Sequence, residues 1–392
     1  MTVLVINSGS SSIKYQLVDP ESGEAIAVGL VEQIGEESSH IKHTYKGEKH
    51  EYDQPIADHG EGLRFVLDLF ENIGPKLADA HIEAVGHRVV QGGNHFDGPA
   101  LVTQEVRDLI EELAPLAPLH NPAHLRGIDV ARELLDVPHV VVFDTAFFQS
   151  LPEEAARYAL DREIADKYSI RRYGAHGTSH QFVAQAVADY VSRDDLKQIV
   201  LHLGNGASVS AVLNGKAVDT SMGLTPLEGL VMGTRTGDID PAAIFHLSRV
   251  GGLSIDEIDN LFNKQSGLKG LAGVNDMRAV WSLAESGDAH AREALDIYVH
   301  RIVKYIGSYA AVMGGLDVIA FTAGIGENDD LLRAEVLERL AGFGLKLDAE
   351  TNAVRGDEIR QISTDDSSVQ VLVVPTNEEL AIARQAMEVI GK

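Results

Sequence analysis

Two stretches far apart in the chain read the same way. Residues 3–18, VLVINSGSSSIKYQLV, are an apolar strand, a small polar turn with a glycine, and a second strand. Residues 199–212, IVLHLGNGASVSAV, repeat that order with Gly206 beneath Gly9, and Asn214-Gly215 follows as a hairpin signal. One copy in each half makes the chain a candidate duplication, with two similar α/β domains presenting Gly-rich turns to one cleft. The first turn packs hydroxyls and Gly9 ahead of Lys14, so it can aim N–H groups, hydroxyls and an ammonium at a phosphate. Alone, the stretch reads equally well as a serine-rich hairpin turn, and two unrelated hairpins could produce so short a match.

The remaining pattern alternates strands with helices. Strands are expected at 25–31, 41–45, 84–90, 140–143, 318–321 and 369–374. Leu63, Val66, Leu67, Phe70 and Ile73 keep helical spacing over roughly 60–73, and further helices are expected at about 123–135, about 288–312 and the C-terminus. Asp240 is placed as the N-cap of another helix, with Pro241 at its first position. The helix at 288–312 is apolar enough to be either a dimer contact or core. A chain of 392 residues exceeds what one core usually serves, and Leu151-Pro152 marks a boundary between two domains.

Charge narrows the function. Acidic residues outnumber basic ones 59 to 33, a net charge of −26, which disfavours nucleic acid and anionic membranes as partners. Any local gathering of Arg, Lys and His is then more telling, and points to a small anionic ligand. No window approaches ~18 uninterrupted apolar residues, so no membrane span is expected. The chain has no cysteine, which excludes disulfides and thiolate metal sites and fits a cytoplasmic protein.

Polar turns close five strands, near Asn7, Asp144, Gly204, Gly324 and Asn377. In a twisted α/β sheet such ends line the ligand crevice. Glycine lets backbone approach phosphates, and carboxylates there can hold Mg²⁺ through water. There is neither a Walker A sequence nor a GxGxxG opening, so the pattern points to a nucleotide or sugar-phosphate enzyme of another type.

The segments from Asn7 to Lys14, GAHGTSH, HLGNGAS, GTRTGDIDP, AGIGEN and PTNEE occur in this order over nearly the whole chain. Together they resemble the acetokinase family, the acetate kinases of the actin-like and sugar-kinase ATPase superfamily. The resemblance implies an α/β fold of two duplicated actin-like, ribonuclease H-like domains with a nucleotide cleft between them. The domains would be 1–149 with the terminal helix 379–392, and 150–378, the second carrying nucleotide and dimer contacts of a homodimer. It implies reversible, Mg²⁺-dependent in-line transfer of the ATP γ-phosphoryl group to acetate, giving acetyl phosphate and ADP, with Mn²⁺ as an alternative metal.

By the same resemblance Asp144, His176 and Arg235 are catalytic. Arg88 binds the carboxylate, with Val90, Leu119, His120 and Pro226 around the substrate. Nucleotide contacts fall on Lys14, on His202, Leu203, Gly204, Asn205 and Gly206, and on Asp276, Met277 and Arg278. They extend to Gly324, Ile325, Gly326, Glu327 and Asn328; Asn7 and Glu378 belong to the metal site. His180 lies within a motif but reads as a structural histidine. A short carboxylic acid is already ionised near neutral pH and needs no general base. Asp144 is therefore expected to orient the metal or its waters and to hold Arg88 or another cation in place. Ala175 stands where the family commonly has Phe, in a wall of the substrate methyl pocket, which would favour propionate. Phe148 replaces a common His. The alternatives are a propionate or butyrate kinase of the same family and a non-enzymatic actin-like ATPase.

Overall fold

The opening hairpin forms as β1 (Thr2–Ser8) and β2 (Ile13–Val18), antiparallel from Val3 opposite Val18 to Ser8 opposite Ile13. In this computed structural model, which describes residues 1–9, 11–118 and 120–391, it begins an eight-stranded sheet. β3 (Ala25–Glu32), β4 (Ser39–Tyr45) and β5 (Glu48–Gln54) extend the antiparallel meander outward. On the other side β6 (Ile82–Val89) runs parallel to β1, and β8 (His139–Phe143) runs parallel to β6. The two-residue β7 (Ala100–Leu101) closes the far edge, so the order is β5-β4-β3-β2-β1-β6-β8-β7. β5 escapes the sequence reading because EKHEYDQ is an edge strand with no buried residue, leaving no apolar period to find.

The second sheet repeats the plan. β9 (Lys197–Leu203), β10 (Ala207–Leu213) and β11 (Lys216–Thr220) form a meander. Asn214 and Gly215, both at positive φ (52° and 76°), turn β10 into β11. β12 (Val318–Thr322) then lies parallel to β9, and β14 (Gln370–Val373) parallel to β12, with the short β13 (Arg360–Gln361) outside. The orders β3-β2-β1-β6-β8 and β11-β10-β9-β12-β14 have the same connectivity and strand directions. The two look-alike stretches of sequence are the first hairpin of each copy.

The chain divides into two units, Met1–Gln149 with Asn377–Lys392, and Ser150–Thr376. The C-terminal helix Glu378–Val389 returns to the first unit, where Ile382 packs against Gly86 of β6. A Cβ at Gly86 would lie 2.6 Å from Ile382 Cγ2, so the close approach requires glycine. In the second unit the helix Ala289–Val312 buries Leu295, Tyr298, Val299, Ile302 and Ile306, each at most 1% exposed. One face of that helix is core of the second unit.

Two details differ from the sequence reading. The helix after Asp240 runs Ala242–Gly251, one residue later than placed, although Asp240 Oδ1 still accepts from the Ala242 N–H at 2.9 Å. Residues Ala323–Asn328, read as a polar turn, form a short helix that starts directly at the end of β12, with Ala323 at φ 65°. A sequence with two glycines in six residues hides such a helix, since glycine disfavours helix interiors.

The helix Asn121–Leu134 packs onto the end of β1 through Gly127. A Cβ there would lie 2.2 Å from Ser8 Oγ and 2.9 Å from Ser8 Cβ, so a rotamer change of Ser8 alone does not relieve the clash. Gly127→Ala is expected to destabilise the first unit by about 1–3 kcal/mol, the usual cost of overpacking, read as a lower urea midpoint.

Candidate active site

In the first unit the parallel strands β1, β6 and β8 deliver Asn7, Arg88 and Asp144 at or near their C-terminal ends. The Asp144 N–H continues the ladder to the Val89 carbonyl at 2.9 Å, which sets the Asp144 carboxylate beside the Arg88 side chain. Arg88 Nε donates to both carboxylate oxygens at 3.0 and 3.1 Å, and Nη2 donates to Oδ2 at 2.6 Å. Burial opposes the charged guanidinium, but Asp144 and then Glu378 more than offset it, and the Arg88 pKa stands above the usual arginine value. Asp144 is 1% exposed, so this is a buried pair that loses heavily if one member is removed.

The loop after β6 is pinned at both sides. Asn121, fully buried, accepts from the Gln91 N–H at 3.2 Å and donates to the Gln91 carbonyl at 3.0 Å; Thr145 Oγ1 accepts from the Gly92 N–H at 3.0 Å. Val90 is buried on this loop, and His120 immediately precedes the helix Asn121–Leu134. Leu119 lies outside the described residues. Lys14 pairs with Glu379, at the start of the C-terminal helix.

Asn7 and Glu378 were the expected metal-site pair. Neither side chain makes a hydrogen bond among the described residues, and burial raises the pKa of Glu378, partly countered by Arg88. A half-buried carboxylate with an unspent lone-pair set is a donor that suits a hard cation keeping most of its waters. No group of three or more His, Asp or Glu arranged to hold a metal ion stands among the described residues. Mg²⁺ bound chiefly through phosphates needs none.

The second unit gathers an imidazole and a guanidinium around Gly206. A Cβ on Gly206 would lie 3.5 Å from both Cε1 and Nε2 of His176, and 3.7 Å from Arg235 Nη1. His176 has φ 59° and precedes the helix Gly177–Val191. Its ring stacks on His202, with centroids 4.2 Å apart, and its Nδ1 meets Ser208 Oγ at 2.9 Å. Ser208 Oγ also meets His180 Nε2 at 2.7 Å, and His180 Nδ1 meets Ser210 Oγ at 2.7 Å. His180 is thus the buried, hydrogen-bonded support that its sequence context implied. Arg235 donates to the Pro226 carbonyl at 3.1 Å and has no acidic partner among the described residues. Burial alone pulls its pKa down. Pro226 positions the guanidinium through its main chain.

A cavity of 610 Å³ in the same unit is lined by Gly204, Asn205, Asp276, Met277, Arg278, Gly324, Ile325 and Asn328, all expected nucleotide contacts. The other expected residues lie elsewhere. Leu203 is core, and the Gly326 carbonyl accepts from Arg333 Nη1 at 2.8 Å. Glu327 Oε1 accepts from the N–H groups of Ala323 at 2.9 Å and Thr376 at 3.1 Å, tying the ends of β12 and β14 together. His202 Nδ1 meets Ser179 Oγ at 2.8 Å. Trp281, Ser282, Glu285, Asp329, Asp330, Leu331 and Arg355 complete the lining and were not anticipated. Helical spacing from Met277 could have flagged Trp281 and Glu285; Arg355 carries no sequence signal. Ala175 is 3% exposed and belongs to the main apolar cluster of this unit.

A sequence profile described as the acetokinase family matches residues 2–384. The chain belongs to the acetokinase family. It is 56% identical to the acetate kinase of Leifsonia xyli subsp. xyli, with 99% of each chain covered. The structure of the acetate kinase of Porphyromonas gingivalis superposes with a TM-score of 0.94 at 42% identity, covering 99% of each chain. A propionate kinase from Francisella tularensis subsp. tularensis reaches a TM-score of 0.93 at 41% identity, covering 98% of each chain. The two duplicated α/β units are the two-domain actin-like ATPase architecture of this family. Among the described residues no helix is long and apolar enough to cross a membrane.

Five buried histidines make this family member sensitive to acid. Burial is the largest cause depressing the pKa values of His43, His87, His124, His139 and His180, and His124 falls to about 3. His139 Nε2 donates to the Leu135 carbonyl, so its Nδ1 accepts from His87 Nε2 at 2.9 Å and both rings are neutral. The unfolded chain binds protons near pH 6.5 that the folded protein refuses. Their stabilising contribution is complete above that pH and is lost as pH falls. Glu378 and Asp329, raised by burial, act in the opposite sense from the lower starting values of 4.5 and 3.8. The urea midpoint is expected to drop between pH 7.5 and 5.5, and a flat profile contradicts the assignment of neutral buried rings.

Proposed function

We propose that the protein is an acetate kinase that transfers the γ-phosphoryl group of ATP to acetate, reversibly, giving acetyl phosphate and ADP. The observation that carries this reading is the convergence of His176 and Arg235 on Gly206, with no carboxylate assigned to the guanidinium. In the same unit, the cavity next along the chain at Gly204 and Asn205 has room for a nucleotide. Family membership supports the same reading.

Transfer of a phosphoryl group spreads negative charge over its equatorial oxygens, so catalysis consists of positioning and preorganised positive charge. Arg235 and His176 supply that charge. Ser208, itself held by His180, fixes the His176 ring through Nδ1. Arg88 receives the acetate carboxylate through Nη1, since Nε and Nη2 are committed to Asp144. Val90 offers apolar surface to the methyl group. An acetate oxygen forms the new bond to phosphorus as the bond to the ADP oxygen breaks, and no proton has to be removed. Asp144 acts as the anchor of Arg88, in keeping with an ionised acceptor. Asn7 and Glu378 would hold Mg²⁺, which would supply positive charge against the phosphates.

Hydroxylamine trapping of acyl phosphate tests the activity. The chain should form ATP- and Mg²⁺-dependent hydroxamate, and an actin-like ATPase without kinase activity would form none. Arg235→Ala should lower kcat by roughly 10²–10³-fold or more while leaving the acetate KM little changed, as for loss of a transition-state donor. Rates with acetate, propionate and butyrate test the acceptor; a preference for propionate replaces acetate in this reading.

The second unit also carries an exposed apolar face. Ile239, Phe245, Val250 and Ile255 are 42%, 56%, 74% and 66% exposed, and the helix Ala242–Gly251 buries no residue. This face, rather than the buried helix Ala289–Val312, is the proposed contact of a homodimer. Val250→Asp combined with Phe245→Asp should convert a dimer to a monomer in light scattering, whereas an unchanged mass rules the face out.

A further inference from the structure

The cavity of the second unit is lined by two chemically different sets of residues. Gly204 and Asn205 adjoin Gly206, where His176 and Arg235 converge. Asp276, Glu285, Asp329 and Asp330 line it as well, with Arg278 and Arg355, and Asp276 is forked onto Arg278. The other three carboxylates make a poor seat for a triphosphate, which suits the glycines and Arg235. They suit the uncharged nucleoside instead.

Trp281, the single tryptophan of the chain, lines the cavity among these acids. It is held from several directions. Its Nε1 donates to Asp329 Oδ2 at 2.7 Å, and Asp329 Oδ1 caps the helix Asp330–Arg339 by accepting from the Leu332 N–H at 2.9 Å. The Arg292 guanidinium lies 5.6 Å from the indole centroid and is itself forked onto Glu335 by two bonds of 2.7 Å. The indole is half-buried, so ring surface remains open to the cavity. A rigid aromatic plane beside Asp329 has little conformational freedom to lose when a planar base arrives. Glu285, one helical turn further on, lies on the same face of the helix Met277–Glu285.

We propose that Trp281 is the platform on which the nucleotide base stacks, and that Glu285 and Asp330 turn the phosphate chain away from it toward Gly204. The inference rests on the cavity being the nucleotide site of the proposed kinase. Stacking is tolerant of base identity, so Trp281 favours nucleotides over base-free phosphate donors without selecting one base.

Three measurements test it. Wild-type tryptophan emission, which reports Trp281 alone, should change saturably with ADP and not with acetate. Trp281→Leu should raise the KM for ATP roughly ten-fold or more, in line with a lost stacking contact. In that variant kcat, the acetate KM and inhibition by inorganic tripolyphosphate should stay near wild type. An unchanged KM for ATP, with hydroxamate formation intact, overturns the platform and leaves the kinase reading standing. Absence of hydroxamate from the wild-type chain overturns the kinase reading, while the ADP titration of wild-type emission still decides the platform. Should Trp281→Leu fail to fold, that titration decides alone, and flat emission at saturating ADP overturns the proposal.

Discussion

A guanidinium taken out of water must be met by a carboxylate or it destabilises whatever surrounds it. In the first unit that requirement is met by Asp144, which accepts three short bonds from Arg88 across adjacent parallel strands. Much of the local architecture follows. β8 must end where β6 does, the loop after β6 is pinned by Asn121 and Thr145, and the glycines there let the loop close over Phe143. The side of Arg88 that remains is aimed by the side that is spent.

The second unit handles its arginine the other way. Arg235 is half-buried against the Pro226 carbonyl and the Met232 sulfur, with no acidic partner among the described residues to offset the loss of hydration. A folded chain that keeps such a group carries an electrostatic deficit that an anion can relieve. The contrast assigns different tasks to two residues of one type. Arg88 has its charge met in place by Asp144, whereas Arg235 has only a carbonyl and a sulfur beside it. His176 lies in the left-handed region beside it, and Ala323 at the end of β12 does likewise, so strained backbone gathers where anionic ligands are expected.

The duplicated plan was legible because its signal lies in buried strands. The stretches containing β1 and β9 are apolar runs that stop at glycine and small polar residues, and both the fold class and the first hairpin of each copy follow from that. β5 was invisible because it buries nothing, and Ala323–Asn328 because its glycines mask a helix held by Glu327 and Arg333 from elsewhere in the fold. Of the residues expected around the nucleotide, Gly204, Asn205, Asp276, Met277, Arg278, Gly324, Ile325 and Asn328 line one cavity. Glu327, Gly326 and Leu203 show the limit of motif reading: a motif marks the place but not which of its side chains face inward. Trp281 and Arg355 sit outside any motif, brought to the cavity only by how three helices pack.

The first unit is discontinuous, since its last helix, Glu378–Val389, arrives after the whole of Ser150–Thr376. During synthesis on the ribosome the second unit emerges as one uninterrupted segment and has every residue of its sheet before the first unit has its final helix. Until then Gly86 and the strands around it lack their cover, and Glu378 is missing from the neighbourhood of Arg88. A nascent chain therefore has every residue that lines the cavity of the second unit before Glu378 and the final helix of the first unit are made.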